Sequence, residues 1–353
     1  MTDRASTCAA QCREQLLEGV QHEASEHPCL PEQRCIILSG GVDTCCVLEA
    51  AQTAGVAFGA AITVVTSATA SDRAYACAIA QQHGLKHHLI EIALSDLLTQ
   101  ALPLCVRTLQ TFDGMELRNA MVVAVALQRA AELGFRQAWT GDAADELLGG
   151  YSFTWRNTDD EAWCMARAKM CAEWTFSAPR TARALGLSAH SVYMRDEFTR
   201  WALEATRRAD CIAEAATESV PGGERTTQTT GKLPLRRTFA DKALSAWRRK
   251  DPIEVGSGST RLSQNEFWAE QVPADELAAE QERLLAEEKV TVRDAEHLVY
   301  WRAFKREFPD GIAGRKRFAD LPCNGCGYEL SRPTALFCHV CGAYPAQEVA
   351  AKA

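Results

Sequence analysis

No stretch of the chain reaches the ~18 uninterrupted apolar residues that a membrane-spanning helix needs, which argues against a helical membrane protein. The amino-terminal MTDRASTCAAQCREQ has no apolar core of the kind that marks a secretory signal, so a cytoplasmic protein is expected. A positive balance of charge is also missing. The formal net charge is −8, the wrong sign for a protein whose main task is to grip a nucleic-acid backbone, although it leaves room for a local basic patch. No internal repeat is visible, so the chain does not read as a stacked-repeat architecture. Cysteine is plentiful, but a disulfide framework is not. Of fifteen cysteines, eleven lie outside the C-terminal cluster with no regular spacing, a pattern of reduced thiols in a reducing compartment.

What is present begins with size. A chain of 353 residues, 47% hydrophobic and 24% charged, is an ordinary soluble composition and long enough for one large domain plus an attachment. Residues 7–25 read as an amphipathic helix, with Leu16, Leu17 and Val20 on one face. Short apolar runs then alternate with helical patterns. Strands are expected at Cys35–Leu38, Ala61–Thr66, His88–Ile92 and Gln137–Thr140. Helices are expected from Val47 to Thr53, from Asp72 to His83 and from Ala120 to Leu133, the last two closed by Gly84 and Gly134. Such alternation predicts an α/β fold, a parallel sheet with helices on both faces. Beyond Tyr151 the pattern is mostly helical. Polar loops are expected at Ser219–Gly231 and Val255–Thr260, and a helical run from Ala274 to Phe308.

The first expected strand runs into Ser39-Gly40-Gly41, then Asp43 and Thr44. Glycines after a strand let the backbone approach a phosphate without Cβ clashes. The helix that follows offers unpaired N–H groups and the positive end of its dipole. Ser39 and Thr44 bring hydroxyl donors. Asp43 would repel a phosphate alone and makes sense if it holds Mg²⁺. The plainer reading is a tight strand–helix turn with an acid near the helix start. The motif lacks the lysine of GxxxxGK[ST] and is not a Walker loop. It resembles the pyrophosphate loop of N-type ATP pyrophosphatases.

A second motif, TGDAADELLGGY, spans Thr140–Tyr151. Three acids in close succession, Asp142, Asp145 and Glu146, repel one another unless a metal or an amine offsets them. The plainer reading is an acid-rich helix start favoured by the dipole. With both motifs in order, the chain resembles the synthetase domain of asparagine synthetases and the related β-lactam synthetases. SAHSVYMRDEF, GKLPLRRTF, RRKDPIEVGSG and EHLVYWRAFKREFP resemble later family segments in the same order, so the resemblance covers about residues 10–310.

The resemblance implies an adenine nucleotide α-hydrolase-like core that activates a carboxylate with ATP and forms an amide, releasing AMP and pyrophosphate. Ser39, Gly40, Gly41, Asp43 and Thr44 would hold the pyrophosphate, with Asp43 and Asp145 as Mg²⁺ ligands. Gly141 would line the adenine and ribose site. Asp142 is the candidate to accept a proton from ammonia, and Lys232 the candidate to stabilise developing charge, supported by Arg236 and Lys250. Aspartate and ammonia are the first expected substrates. Two departures qualify this. Residue 2 is Thr and only ~30 residues precede the phosphate loop, so the family's glutaminase domain is not expected here, and the nitrogen is expected as free ammonia, from a separate ammonia-supplying protein, or as an amine of the substrate. The segment SAHSVYMRD also differs from the family's LEARVPFLD, which keeps other carboxylates open.

The C-terminal region reads LPCNGCGYELSRPTALFCHVCGAYP. Cys323-x2-Cys326 and Cys338-x2-Cys341, each followed by glycine, predict a zinc ribbon with four thiolate ligands. His339 is not expected to ligate. Four protein ligands close the shell, so the zinc is expected to be structural. The expected division is residues 1–317 for the ATP pyrophosphatase domain, 318–347 for the ribbon and 348–353 for a tail. Because zinc ribbons often bind nucleic acid or protein, the alternative function is modification of a tRNA or protein held by the ribbon. Sulfur-inserting tRNA enzymes need a reactive cysteine, for which Cys45 and Cys46 are the candidates, although they also read as small apolar residues packing the first helix turns.

Overall fold

The computed structural model describes residues 3–347; the expected tail at 348–353 lies outside the described residues. The chain divides into two compact units: one formed by the residues up to Glu91 with Ala126–Ser257, the other by Ile92–Val125 with the residues from Gly258 onward.

The first unit opens with helix α1, Arg4–Glu26, whose buried stripe includes Cys12, Leu16 and Val20. Strand β1, Arg34–Ile37, leads into helix α2, Val42–Ala54. Strand β2, Ala60–Val65, helix α3, Ser71–Gln82, and strand β3, His87–Glu91, follow. Strands β4, Gln137–Trp139, and β5, Ser188–His190, complete a parallel sheet of order β3-β2-β1-β4-β5. All six residues of β2 are buried. Successive side chains of a strand point to opposite faces, so both faces are covered. The core beneath is made of residues such as Ile36, Val47, Ile79, Trp139 and Leu147.

This order has one consequence for function. From β1 the chain steps outward to β2 and β3, then returns to the other side of β1 for β4. Cys35 pairs with Ala60 on one side and Ala138 on the other. The sequence order therefore reverses between β1 and β4. In open parallel sheets the crevice outside the carboxyl ends of the strands at such a point is the usual ligand site. Both expected motifs begin there.

The polar stretch Ser219–Gly231, expected as a loop throughout, is a turn over its first half and strand over most of its second. Residues Arg225–Thr230 form β7, antiparallel to β6, Ala213–Glu218. Its residues RTTQTT are β-branched enough to favour an extended chain, but carry no apolar alternation to announce it. The stretch Val255–Thr260 also departs from a plain loop: Ile253–Ser257 is a helical turn and Ser259–Ser263 a 3₁₀ turn.

In the second unit, the helical run from Ala274 to Phe308 is interrupted. A helix covers Ala274–Arg283 and ends in a π turn over Leu284–Glu288. Lys289 then adopts φ 56°. The run resumes at Ala295–Glu307, where the Asp294 carboxylate accepts from the His297 amide at 2.8 Å. The β-branched Val290, Thr291 and Val292 between the two helices are poor helix formers.

Candidate functional site

In the first unit, β1 hands over to α2 through Leu38–Gly41. Gly40 lies at φ +75°, and a Cβ there would come 2.6 Å from the Tyr75 Cβ and 2.8 Å from the Ala76 amide. No other residue fits this close approach to α3. The Ser39 hydroxyl accepts from the Gly41 amide at 3.3 Å. Thr44 Oγ1 donates to the Gly41 carbonyl at 3.5 Å. The first amides of α2 have no partner within the helix. The loop is braced from outside: Arg248 Nη1 donates to the Ser39 carbonyl at 3.0 Å, and its Nη2 to Asp72 Oδ1 at 2.6 Å. The Arg248 guanidinium also stacks on Tyr75. Burial pushes the Asp72 carboxyl up to about 6, with Arg248 opposing.

The second loop leaves β4 beside the first. Ala143 sits at φ 79°, a left-handed conformation that costs a non-glycine residue ~1–2 kcal/mol. It starts a short helix, Ala144–Leu148. Asp142 Oδ2 accepts from Thr140 Oγ1 at 3.0 Å, and its carbonyl accepts from Ser191 Oγ at 2.7 Å. Burial pushes the Asp142 carboxyl up to about 6; the Thr140 hydrogen bond opposes this, while Glu146, Asp43 and Asp145 add to it. The Tyr151 hydroxyl donates to Glu146 Oε1 at 2.6 Å.

Lys232 joins the two loops. Its ammonium lies 2.8 and 2.7 Å from the two carboxylate oxygens of Asp43 and 2.7 Å from Asp145 Oδ1. Lys250 lies 2.8 Å from Asp145 Oδ2. Burial pulls the Lys232 ammonium down, but Asp145 and Asp43 outweigh it and hold it charged. Burial likewise opposes ionisation of Asp145, and Lys232 and Lys250 outweigh it, holding that carboxyl well below the usual carboxylate range.

The backbone at Lys232 is set by its neighbours. It adopts φ 60°, and its amide donates to the Leu148 carbonyl at 2.9 Å. The fully buried Arg236 donates to the carbonyls of Gly231, Ala246 and Arg248 at 2.7–2.9 Å. Gly150 leaves room for the ion pair: a Cβ there would overlap the Asp145 carboxylate and the Lys232 stem. Of the expected site residues in this unit, Asp43, Asp145 and Lys232 meet directly, and Gly141 packs against Asp43 and Thr44. Sequence reasoning did not single out Tyr193, whose hydroxyl donates to the Asp43 carbonyl at 2.8 Å, nor the Tyr151–Glu146 pair. A tyrosine within the SAHSVYMRD segment carries no local signal of that contact.

The Asparagine synthase family model matches residues 32–218, just over half of the chain. The chain belongs to the asparagine synthase family. Its members are in general ATP-dependent amide-forming ligases. The matched span carries Ser39–Thr44 and Gly141–Asp145, whereas Lys232 and Lys250 lie beyond its end. That these two lysines meet the acids of an asparagine synthase domain is therefore independent of the match. No curated protein matches the chain. Cys45 and Cys46 are fully buried, and burial raises both thiols above their usual value. Neither is a thiolate nucleophile at neutral pH.

The second unit holds the four-cysteine centre. Cys323, Cys326, Cys338 and Cys341 are buried, with all sulfurs within 4.8 Å of one another. The Cys323–Cys341 and Cys326–Cys338 sulfurs are 3.6 and 3.7 Å apart. Four thiolates at about 2.3 Å around a tetrahedral zinc have edges of about 3.8 Å, so the donor set fits the ion. The Gly325 amide points to Cys323 Sγ at 3.2 Å. His339 is exposed and outside the cluster. The ribbon is tied into its unit. Val340 accepts from the Phe112 amide at 2.7 Å, Gly325 from the Thr291 amide at 2.8 Å, Gly342 from Arg293 Nη1 at 2.8 Å and Cys326 from Arg317 Nε at 2.8 Å.

Proposed function

We propose that this asparagine synthase family chain is an ATP- and Mg²⁺-dependent ligase that adenylates a carboxylate, transfers the acyl group to an amine, and releases AMP and pyrophosphate. Aspartate is the first candidate substrate and ammonia the nucleophile. The observation that carries the reading is the Lys232 ammonium shared by Asp43 and Asp145 at the carboxyl ends of two adjacent parallel strands.

The residues fit named parts of that chemistry. The turn Ser39-Gly40-Gly41 and the hydroxyl of Thr44 cradle the pyrophosphate at the start of α2. Gly141 gives the adenosine moiety close access to the backbone. Asp43 and Asp145 are the carboxylates that hold Mg²⁺, whose charge offsets that of the polyphosphate. Lys232 supplies a fixed positive charge where the carboxylate oxygen displaces pyrophosphate from the α-phosphorus. Positioning and charge stabilisation of this kind account for most catalysis of phosphoryl transfer. Asp142, with its carboxyl raised to about 6, is poised near neutral pH to take the proton from the attacking amine. The zinc ribbon is a structural clasp of the second unit.

Pyrophosphate and AMP would be measured with ATP, Mg²⁺ and ammonium while aspartate is compared with other carboxylates, using Asp43→Ala as the blank. Asparagine formed in step with AMP supports the aspartate reading. AMP formed with a different carboxylate keeps the ligase and replaces the substrate. Turnover that appears only with added tRNA or protein overturns the small-molecule reading.

A further inference from the structure

Two of the site's acids, Asp43 and Asp145, are paired with two lysines. Lys232 has three N–H donors. Its ammonium donates to both oxygens of Asp43 and lies 2.7 Å from Asp145 Oδ1, an ion-pair contact without hydrogen-bond geometry; Lys250 donates to Asp145 Oδ2. All four carboxylate oxygens have an ammonium partner, and two negative charges face two positive ones. The two lysines differ in freedom. The Lys250 side chain is a quarter exposed, whereas that of Lys232 is 2% exposed. Lys232 is also held at its backbone by Leu148 and through the Arg236 clamp.

We propose that Lys232 is the resident counter-ion of the Asp43–Asp145 pair and keeps it closed to a bare divalent cation, so that the pair takes a metal only as a metal–polyphosphate complex. This rests on the ligase reading above and deepens it by naming the ligand class the pair selects. A bare dication would bring positive charge to two carboxylates already neutralised by two ammonium groups and would displace the 2%-exposed Lys232 from its partners in a partly buried site, where like charges interact strongly. A polyphosphate arrives with anionic oxygens that accept the ammonium protons. Lys232 therefore selects between the two forms, with Lys250 as the more mobile auxiliary.

The test is Mn²⁺ binding to the full chain with its ribbon saturated in zinc, followed by electron paramagnetic resonance, with and without a non-hydrolysable ATP analogue. The wild-type protein is expected to bind one Mn²⁺ with the analogue and none tightly without it. Lys232→Met, which keeps the stem and removes the charge, is expected to gain an analogue-independent Mn²⁺ site at least ~30-fold tighter than wild type. Adding Asp145→Asn should remove it. Should Lys232→Met fail to fold, the wild-type titration still decides. A stoichiometric Mn²⁺ bound without the analogue and lost in Asp43→Asn overturns the proposal, as does a folded Lys232→Met with no gain. Failure of the analogue to bind in any form, beside a gained Mn²⁺ site in Lys232→Met, would overturn the ligase reading and leave the counter-ion role standing.

Discussion

Gly141 lies directly against Asp43: a Cβ on Gly141 would come 2.7 Å from the Asp43 Cβ and 3.2 Å from the Thr44 methyl. The two loops of the site approach at hydrogen-for-methyl resolution because β1 and β4 are neighbours in register. Gly141→Ala must push the loops apart or shift one of them. Overpacking of this kind costs ~1–3 kcal/mol. The displaced Asp43 would also lose its three-centre ion pair with Lys232. The expected outcome is a modest fall in melting temperature with at least ~10-fold weaker nucleotide binding. Unchanged nucleotide affinity in a folded Gly141→Ala would show that the contact does not shape the site.

Asp142 gives the pH dependence a definite sign. Its carboxyl is raised from near 3.8 to about 6, mainly by burial. A carboxyl raised in the folded state destabilises that state when ionised. The penalty is absent below the unfolded value, grows between about 4 and 6, and is full above 6. Asp142→Asn removes the charge and is expected to stabilise the protein by about 1–3 kcal/mol at pH 7.5, with the advantage gone by pH 4. Amide formation in the wild type should fall as pH drops through about 6, and Asp142→Asn should abolish that limb together with most of the rate. Denaturant melts at the two pH values check the first statement. A variant less stable than wild type at pH 7.5 would contradict it.

How much of this was legible in the sequence follows from range. The strand–glycine–acid turn at Ser39–Thr44 and the acid cluster at Asp142–Glu146 are local patterns, and both sit where the alternation of strands and helices placed them. Four of the five sheet strands were legible as apolar runs. The fifth, Ser188–His190, is three residues long, too short for a period-two pattern to register. The β6–β7 hairpin was hidden because its second strand is polar and threonine-rich, and it is the strand that delivers Lys232. The partner of that lysine was not legible at all. Lys232 and Asp43 are 189 residues apart, and only the sheet order brings them together.

Arg236 illustrates a residue whose sequence context suggested charge near the reaction, while its contacts are all carbonyls. It is fully buried and feeds Gly231, Ala246 and Arg248. Losing it leaves three buried acceptors unsatisfied, each costing ~1–3 kcal/mol. Arg236→Met is expected to destabilise the protein by at least about 3 kcal/mol and to loosen Lys232, lowering turnover further than stability alone would. Arg236→Lys should not rescue it, because a single ammonium cannot span the fork of a guanidinium. Chemical denaturation that places Arg236→Met within ~1 kcal/mol of wild type would refute the clamp.

The ribbon makes the last prediction. Its sulfurs are spaced for one zinc, and its carbonyls at Gly325, Val340 and Gly342 serve as acceptors for Thr291, Phe112 and Arg293 of the same unit. Without metal, four buried thiols have little reason to stay within 4.8 Å, and binding free energy at such a site is folding free energy. Removing zinc should therefore release more than the knuckles. The Phe112 amide donates to Val340 at 2.7 Å and should lose hydrogen-exchange protection by at least ~10-fold, as should the amide of Thr291. The amides of β2 in the first unit should keep theirs. Elemental analysis should find one zinc per chain, reduced well below one in Cys338→Ser. If stoichiometric removal left Phe112 and Thr291 as protected as before, the ribbon would be an appendage after all, and its role would have to be sought outside the unit that now holds it.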